Sequence, residues 1–445
     1  MRRCRWIVCL LLWGGIGIEI PVGAQEGGAD DFAEIRKQLA AERRKNDEQQ
    51  RRLAALEEQI AGAGSEDTLG GSSLGLGAVY GKGFLGRVTR STTLGGYIDL
   101  EYFDSQSSDN TFRNHRFVPF IYSQLTEKVR FAAGIEFEYG GSDSPSGDGE
   151  TNVEFAALDV VFHEAFGVRA GALLAPLGRF NLYHDSPMND LTDRPLVDRL
   201  VIPSTLTEAG AGFFGTIYPD EESALTYEIY LVNGFAGLEE SATAPTGFAS
   251  EISTSSGLRD ARASLKSDNN NSTAVVGRIA YSPFLGLEVG VSNHTGKYDD
   301  KGGNWLVLTA FDFTLDGATV CDGLAGWELL GEVARAEISR DSLARASGVP
   351  DDLWGFYTQV NYHFMVTPLE DLLPSAFGGE ATFTAVGRLD HVELDNVRTD
   401  RLTFGVNYRL TEDTVFKFDY QFNFEDWHRD RVDNDAVVVS VASYF

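Results

Sequence analysis

The chain has 445 residues, of which 43% are hydrophobic, with 29 Phe, 16 Tyr and 48 Gly against 13 Pro, and a formal charge of −29. With 66 acidic against 37 basic residues, no basic face is available for nucleic acid. Abundant aromatics and glycines with few helix formers beyond residue 70 predict an all-β architecture.

Arg2, Arg3 and Arg5 precede an apolar run from Trp6 to Ile18, and Val22-Gly23-Ala24 has the small-residue pattern of a cleavage site. Residues 1–24 therefore read as a secretory signal peptide, with an uncleaved anchor as the alternative. Cys4 and Cys9 leave with it, so Cys321 remains alone and no internal disulfide can form.

Residues 25–61 hold the one strongly helical segment. Phe32, Ile35, Leu39, Glu42, Asn46, Gln49, Leu53, Leu56 and Ile60 recur at steps of three and four, an a/d heptad with polar middle layers. A short periplasmic coiled coil that registers subunits is expected; a solvated single helix is the alternative. Residues 62–92, rich in Gly and Ser, read as a linker.

From 93 to 445 the sequence gives sixteen strand candidates: 93–103, 113–125, 128–140, 150–164, 166–177, 208–218, 223–233, 272–284, 285–296, 304–316, 325–339, 353–366, 377–392, 400–411, 414–426 and 435–445. Links after even-numbered strands are mostly tight, as at Thr126-Glu127-Lys128 and Thr411-Glu412-Asp413. Links after odd-numbered strands are mostly longer and polar, above all 177–207 and 235–271. That parity predicts a sixteen-stranded antiparallel transmembrane β-barrel, with eighteen strands as the alternative count. Short turns face the periplasm and long loops face outside.

Dyads agree with this. Phe416, Phe418, Tyr420, Phe422 and Phe424 alternate with Lys417, Asp419, Gln421, Asn423 and Glu425, which places the rings on lipid and the polar side chains in the pore. One strand is irregular: Trp327 and Leu329 share no parity with Leu330, which predicts a bulge or a displaced boundary. The last strand, AVVVSVASYF, ends on Phe445, and this resembles the C-terminal signal that bacterial barrels present to the β-barrel assembly machinery, although Ser443 departs from it.

Gly379-Glu380, Arg388, Gly405-Val406-Asn407-Tyr408 and Lys417 with Tyr420-Gln421 resemble the terminal motifs of the porin O and P family, and 190–215 is similar to a further stretch of it. The resemblance implies a sixteen-stranded trimeric barrel, in some members with an N-terminal periplasmic coiled coil. Phosphate selectivity does not carry over: beyond residue 70 there are 27 Lys and Arg against 54 Asp and Glu, and an anion filter needs a cationic lining. The same balance predicts a weak cation preference.

A passive channel for small hydrophilic solutes or inorganic ions in the bacterial outer membrane is the function expected. A constriction is expected from the third outer loop, with Arg179, Asp185, Asp190, Asp193, Arg194, Asp198 and Arg199 setting a transverse field; the alternative is an external cap of internal salt bridges. Strand parity places Arg130, Glu136, Arg169, Arg278, Arg388, Asp390, Arg409 and Lys417 on the pore wall, where many are expected to pair with one another. No cofactor, metal or enzymatic function is expected. The seven His lack ligand spacing, and no nucleophile elbow or phosphate loop occurs. The rival readings are a non-conducting structural or adhesive barrel, an outer-membrane enzyme, and a soluble β-rich binding protein.

Overall fold

A computed structural model describes residues 92–142, 149–366, 381–425 and 434–445, with single positions at 369, 373 and 377. The expected signal peptide, helix and nearly all of the linker lie outside the described residues.

Among the described residues, sixteen of the eighteen strands close into one antiparallel barrel. They are β1 (Thr92–Ser105), β2 (Ser108–Gln124), β3 (Val129–Glu138), β4 (Glu150–His163), β5 (Phe166–Leu174), β6 (Thr207–Ile217), β7 (Ala224–Val232), β10 (Ala274–Phe284), β11 (Leu287–Lys297), β12 (Trp305–Asp316), β13 (Trp327–Ile338), β14 (Asp352–Phe364), β15 (Thr382–Leu394), β16 (Val397–Arg409), β17 (Thr414–Glu425) and β18 (Ala436–Tyr444). Each strand pairs with its neighbour in sequence, and β1 closes on β18 with Tyr97 opposite Tyr444 and Ser105 opposite Ala436. β8 (Leu238–Glu240) and β9 (Phe248–Ser250) form a separate ladder in the connection between β7 and β10. Closure leaves no edge in the barrel sheet, so every barrel strand has a backbone partner on both sides.

The sequence places all sixteen barrel strands, with boundaries off by up to five residues. β2 starts at Ser108 rather than 113 because its pairing with β1 runs on through exposed polar residues, up to a two-residue turn at 106–107. β15 and β16 likewise meet at residues 395–396. Two odd links are therefore tight, and their hairpins project by strand length instead of by loop. Two even links, 317–326 and 365–381, are long.

The expected bulge in the strand of Trp327 is corrected. β13 pairs in unbroken register with both β12 and β14. Trp327, Leu329 and Val333 point outward, while Leu330 points inward with Glu328 and Glu332 and packs on the apolar core inside the barrel. An apolar residue on the lumen side broke the pattern, and the lumen here is not all water.

Outside, the barrel is apolar. Leu158, Phe213, Ile229, Leu231, Ile279, Phe311, Phe404, Phe416 and Phe418 are all exposed. Rings also link strand to strand at the short-turn end: Trp327 with Tyr362 at 4.7 Å between centroids, Phe364 with Phe383 at 5.8 Å, Phe383 with Tyr408 at 4.8 Å, and Tyr408 with Phe416 at 6.3 Å. Phe162, Phe166 and Phe213 continue the series on the other side. Such an outer face is unstable in water, and an aromatic girdle at one rim is how barrels meet a lipid interface. No helix among the described residues is long and apolar enough to cross a membrane; the strands do so.

Candidate functional site: an inserted loop and the charges that hold it

The connection between β5 and β6, residues 175–206, lies against lumen-facing side chains of strands around the barrel. It leaves the wall at Gly178, whose φ is +67°; a Cβ there would lie 1.9 Å from Glu332 Oε1. Only glycine suits both the backbone angle and the approach. The Gly178 amide donates to Ser292 Oγ at 2.8 Å, and the Arg179 and Phe180 amides donate to Glu332 Oε2 at 2.9 and 3.1 Å. The loop then makes a 3-10 turn (Ser186–Met188) and one short helix, α1 (Leu196–Leu200).

Leu177, Leu182, Leu191, Leu196, Val197, Val201, Ile202 and Leu206 of the loop are buried. All but Leu191 form one core with inward residues of the wall such as Tyr97, Val118, Phe120, Phe155 and Tyr357. Each fully buried aliphatic side chain contributes roughly 1.5–3 kcal/mol, so the loop is held as a packed element. The connection between β7 and β10 packs onto it: Gly257, with φ +59°, brings its backbone against the Leu200 carbonyl, and the Leu258 amide donates to that oxygen at 2.9 Å.

Polar anchors complete the attachment. Asp185 accepts from Tyr444 Oη at 2.8 Å. Asp190 accepts from Asn361 Nδ2 at 2.8 Å, Asn407 Nδ2 at 3.0 Å and Arg409 Nη2 at 3.3 Å. Asp193 accepts from Gln421 Nε2 at 2.6 Å and lies 3.5 Å from Arg401. These three loop acids are thus engaged by the wall. Arg179 lies over the Tyr183 ring at 4.8 Å. Arg194 donates to the Ser204 carbonyl and lies 4.0 Å from Glu136. Asp198 is buried, and neither of its oxygens has a hydrogen-bond partner among the described residues. Arg199 is exposed and edges a cavity.

The eight charges assigned to the wall all face inward. Arg169 makes paired bonds to Asp159 at 2.7 and 2.9 Å, reaches Glu228 at 3.3 Å and Tyr230 Oη at 3.0 Å, and covers the Phe214 ring. Arg278 bridges Asp312 at 2.5 Å and Glu288 at 3.1 Å. Glu136 pairs with Arg116 at 2.9 Å. Four of the others hold the loop. Arg388 bonds Asp390 at 2.9 Å and the Asp193 carbonyl at 2.9 Å, Asp390 accepts from the Leu196 amide at 3.0 Å, and Arg409 donates to the Pro187 carbonyl at 2.7 Å. Lys417 donates to the Ser186 carbonyl at 2.6 Å and to Leu191 at 3.3 Å. Arg130 Nε and Nη1 have no hydrogen-bond partner among the described residues.

Between loop and wall lies a cavity of ≈ 210 Å³ lined by Arg113, Arg116, Arg194, Arg199, Arg259, Glu101, Glu138, Glu150 and Asp193, with His115, Tyr139 and Thr192. A second of ≈ 510 Å³ is bounded by Glu136, Asn152, Glu154, Thr205, Arg259 and Arg262. Strand parity, which places Asp419 on the wall, could also have placed Glu101 and Asp159 there, since each alternates with apolar neighbours. Nothing local marks Arg259, whose position depends on a forty-residue connection folding back.

No family model matches the chain. An uncharacterized protein of Aquifex aeolicus (strain VF5) is 26% identical over 390 residues, covering 83% of each chain. Among solved structures, the anion-selective porin from Comamonas acidovorans superposes with a TM-score of 0.50 at 13% identity, covering 80% of this chain and 99% of that one. Salmonella typhi OmpF, in its complex with daunomycin, gives 0.49 at 12%, covering 80% and 97%. The fold is that of a porin: a closed sixteen-stranded antiparallel barrel with an apolar outer face.

Proposed function

We propose that the protein is an outer-membrane porin that passes small hydrophilic solutes or inorganic ions by passive diffusion. The observation that carries this reading is the third outer loop lying inside the barrel, beside cavities whose walls are charged rather than apolar. A barrel of sixteen strands is wide enough for an aqueous channel; the inserted loop narrows it and presents Arg194 and Arg199 to the passage. Arg179, Asp185, Asp190, Asp193 and Asp198 act in the same constriction mainly as anchors and buried charge.

Five arginines face four carboxylates around the cavity beside the loop, a balance far from the two-to-one acidic excess of the whole region. Selectivity is therefore weak, and polar solutes are oriented by neighbouring opposite charges. The finer features follow the sequence: membership of the porin O and P family, a cleaved leader, a periplasmic helix, homotrimers in outer-membrane lipid, and delivery by the β-barrel assembly machinery through the strand ending at Phe445.

The extensive core between loop and wall supports a second reading, a barrel that does not conduct. Planar-bilayer recording on purified, heat-modifiable protein separates the two. Discrete current steps with a reversal potential near zero across a tenfold KCl gradient support the porin; folded protein that gives no steps supports the structural barrel.

A further inference from the structure

Asp99 and Glu101 occupy alternate positions of β1 and both point inward. Opposite them β2 carries a bulge: Asp99 pairs with Arg116 and Leu100 pairs with Asn114, so His115 is the extra residue. Bulges re-aim side chains. Here the bulge turns His115 to the lumen beside Arg116, where simple alternation would have sent one of them to lipid. His115 Nδ1 lies 2.5 Å from Glu101 Oε1 and 3.4 Å from Asp99 Oδ2, and one donor atom from each of the three residues falls within 4.8 Å of the others.

We propose that Asp99, Glu101 and His115 form a site for a divalent first-row transition-metal ion at the mouth of the inserted loop. One imidazole with two carboxylates is a donor set that suits Zn²⁺ and its neighbours rather than Mg²⁺ or Ca²⁺. Bonds of about 2.0–2.2 Å at tetrahedral angles put donor atoms about 3.4 Å apart. The His115–Asp99 separation already matches, and Glu101, at the edge of the cavity, closes the set by a small side-chain shift.

A second observation points the same way. Asp99 is 1% exposed, its Oδ2 faces His115, and its other oxygen, Oδ1, has no hydrogen-bond partner among the described residues. Its Oδ2 accepts from Ser186 Oγ at 2.6 Å, which fixes the carboxylate as an outer-shell partner does in metal sites. Arg116 is shared with Glu136 at 2.9 Å and Glu138 at 3.1 Å. Glu101 and His115 both line the ≈ 210 Å³ cavity, which gives an ion a polar route in.

The test is Zn²⁺ titration by calorimetry of the full chain in detergent, carrying no polyhistidine tag, with heat-modifiable gel mobility as the check on folding. One saturable Zn²⁺ per chain is expected, weakened about tenfold or more by Asp99→Asn and by His115→Ala and unchanged by His363→Ala; His363 lies on β14 and bonds Thr384 Oγ1 at 2.9 Å. Because the readout is binding and not current, it stands whether or not the barrel conducts. Absence of saturable binding, or binding that folded His115→Ala and Asp99→Asn both retain, overturns the proposal.

Discussion

Arg388→Met tests the idea that wall charges hold the inserted loop. The guanidinium is 2% exposed, bonds Asp390 at 2.9 Å, and donates to the Asp193 carbonyl at 2.9 Å and the Arg194 carbonyl at 3.4 Å. Methionine keeps much of the volume and removes all three contacts. It also strands Asp390, which is fully buried and caps the Leu196 amide at the start of α1. Removing one partner of a buried pair costs about 3–5 kcal/mol, mostly through the charge left behind. Each 1.4 kcal/mol is tenfold, so if only 3 kcal/mol falls on the loop attachment, the detached loop becomes roughly 100-fold more populated. Single-channel traces of the variant should show larger and noisier current levels, and its heat-modifiable gel shift should occur at lower temperature. Arg388→Met combined with Asp390→Asn should recover most of the loss, because the amide oxygen still accepts from Leu196 while the stranded charge is gone. Wild-type noise and melting in the single variant would refute the argument, and so would a double variant as damaged as the single.

Arg169→Met should be as destabilising, about 3–5 kcal/mol, since Asp159 and Glu228 lose their shared buried partner; heat-modifiable gel shifts measure it, and Asp159→Leu added to it should restore much of the stability. Phe418→Arg puts a charge on the outer face at a position 52% exposed and should cost about 2–4 kcal/mol near the bilayer midplane, less toward the rim; urea-driven unfolding from lipid vesicles reads it, and no loss would contradict a lipid-facing β17. Phe445 stacks on Phe117 at 5.8 Å, and its amide donates to the Gly96 carbonyl at 3.0 Å across the seam of the barrel. Phe445→Ala should lower the yield of folded barrel in the outer-membrane fraction, as a blot of heated and unheated samples would show; an unchanged yield would argue against any role in assembly.

The strands were legible in the sequence because a membrane barrel imposes period-two alternation on every one of them. Phe416 and Phe418 against Lys417 and Asp419 needed no tertiary knowledge, since lipid on one side and protein or water on the other leave no other stable assignment. The same parity placed Arg130, Glu136, Arg169, Arg278, Arg388, Asp390, Arg409 and Lys417 inward. Where it stumbled, at Leu330, the cause was physical: the alternation rule takes the lumen as polar, and a loop with its own apolar side chains had replaced the water there.

Partners were not legible. Asp190 meets Asn361, Asn407 and Arg409, residues 171 to 219 positions away, and no local pattern encodes so distant a pairing. His115 is the plainest case. By alternation alone it and Arg116 belong on opposite faces, and only the bulge against Asp99 and Leu100 puts both in the lumen with Glu101. The sequence by itself therefore determined the barrel and the two sides of each strand, because those follow from solvent on either face. Tertiary structure decided what fills the lumen, which charges are spent on anchoring and which line the cavities, because those depend on where a loop of some thirty residues comes to rest.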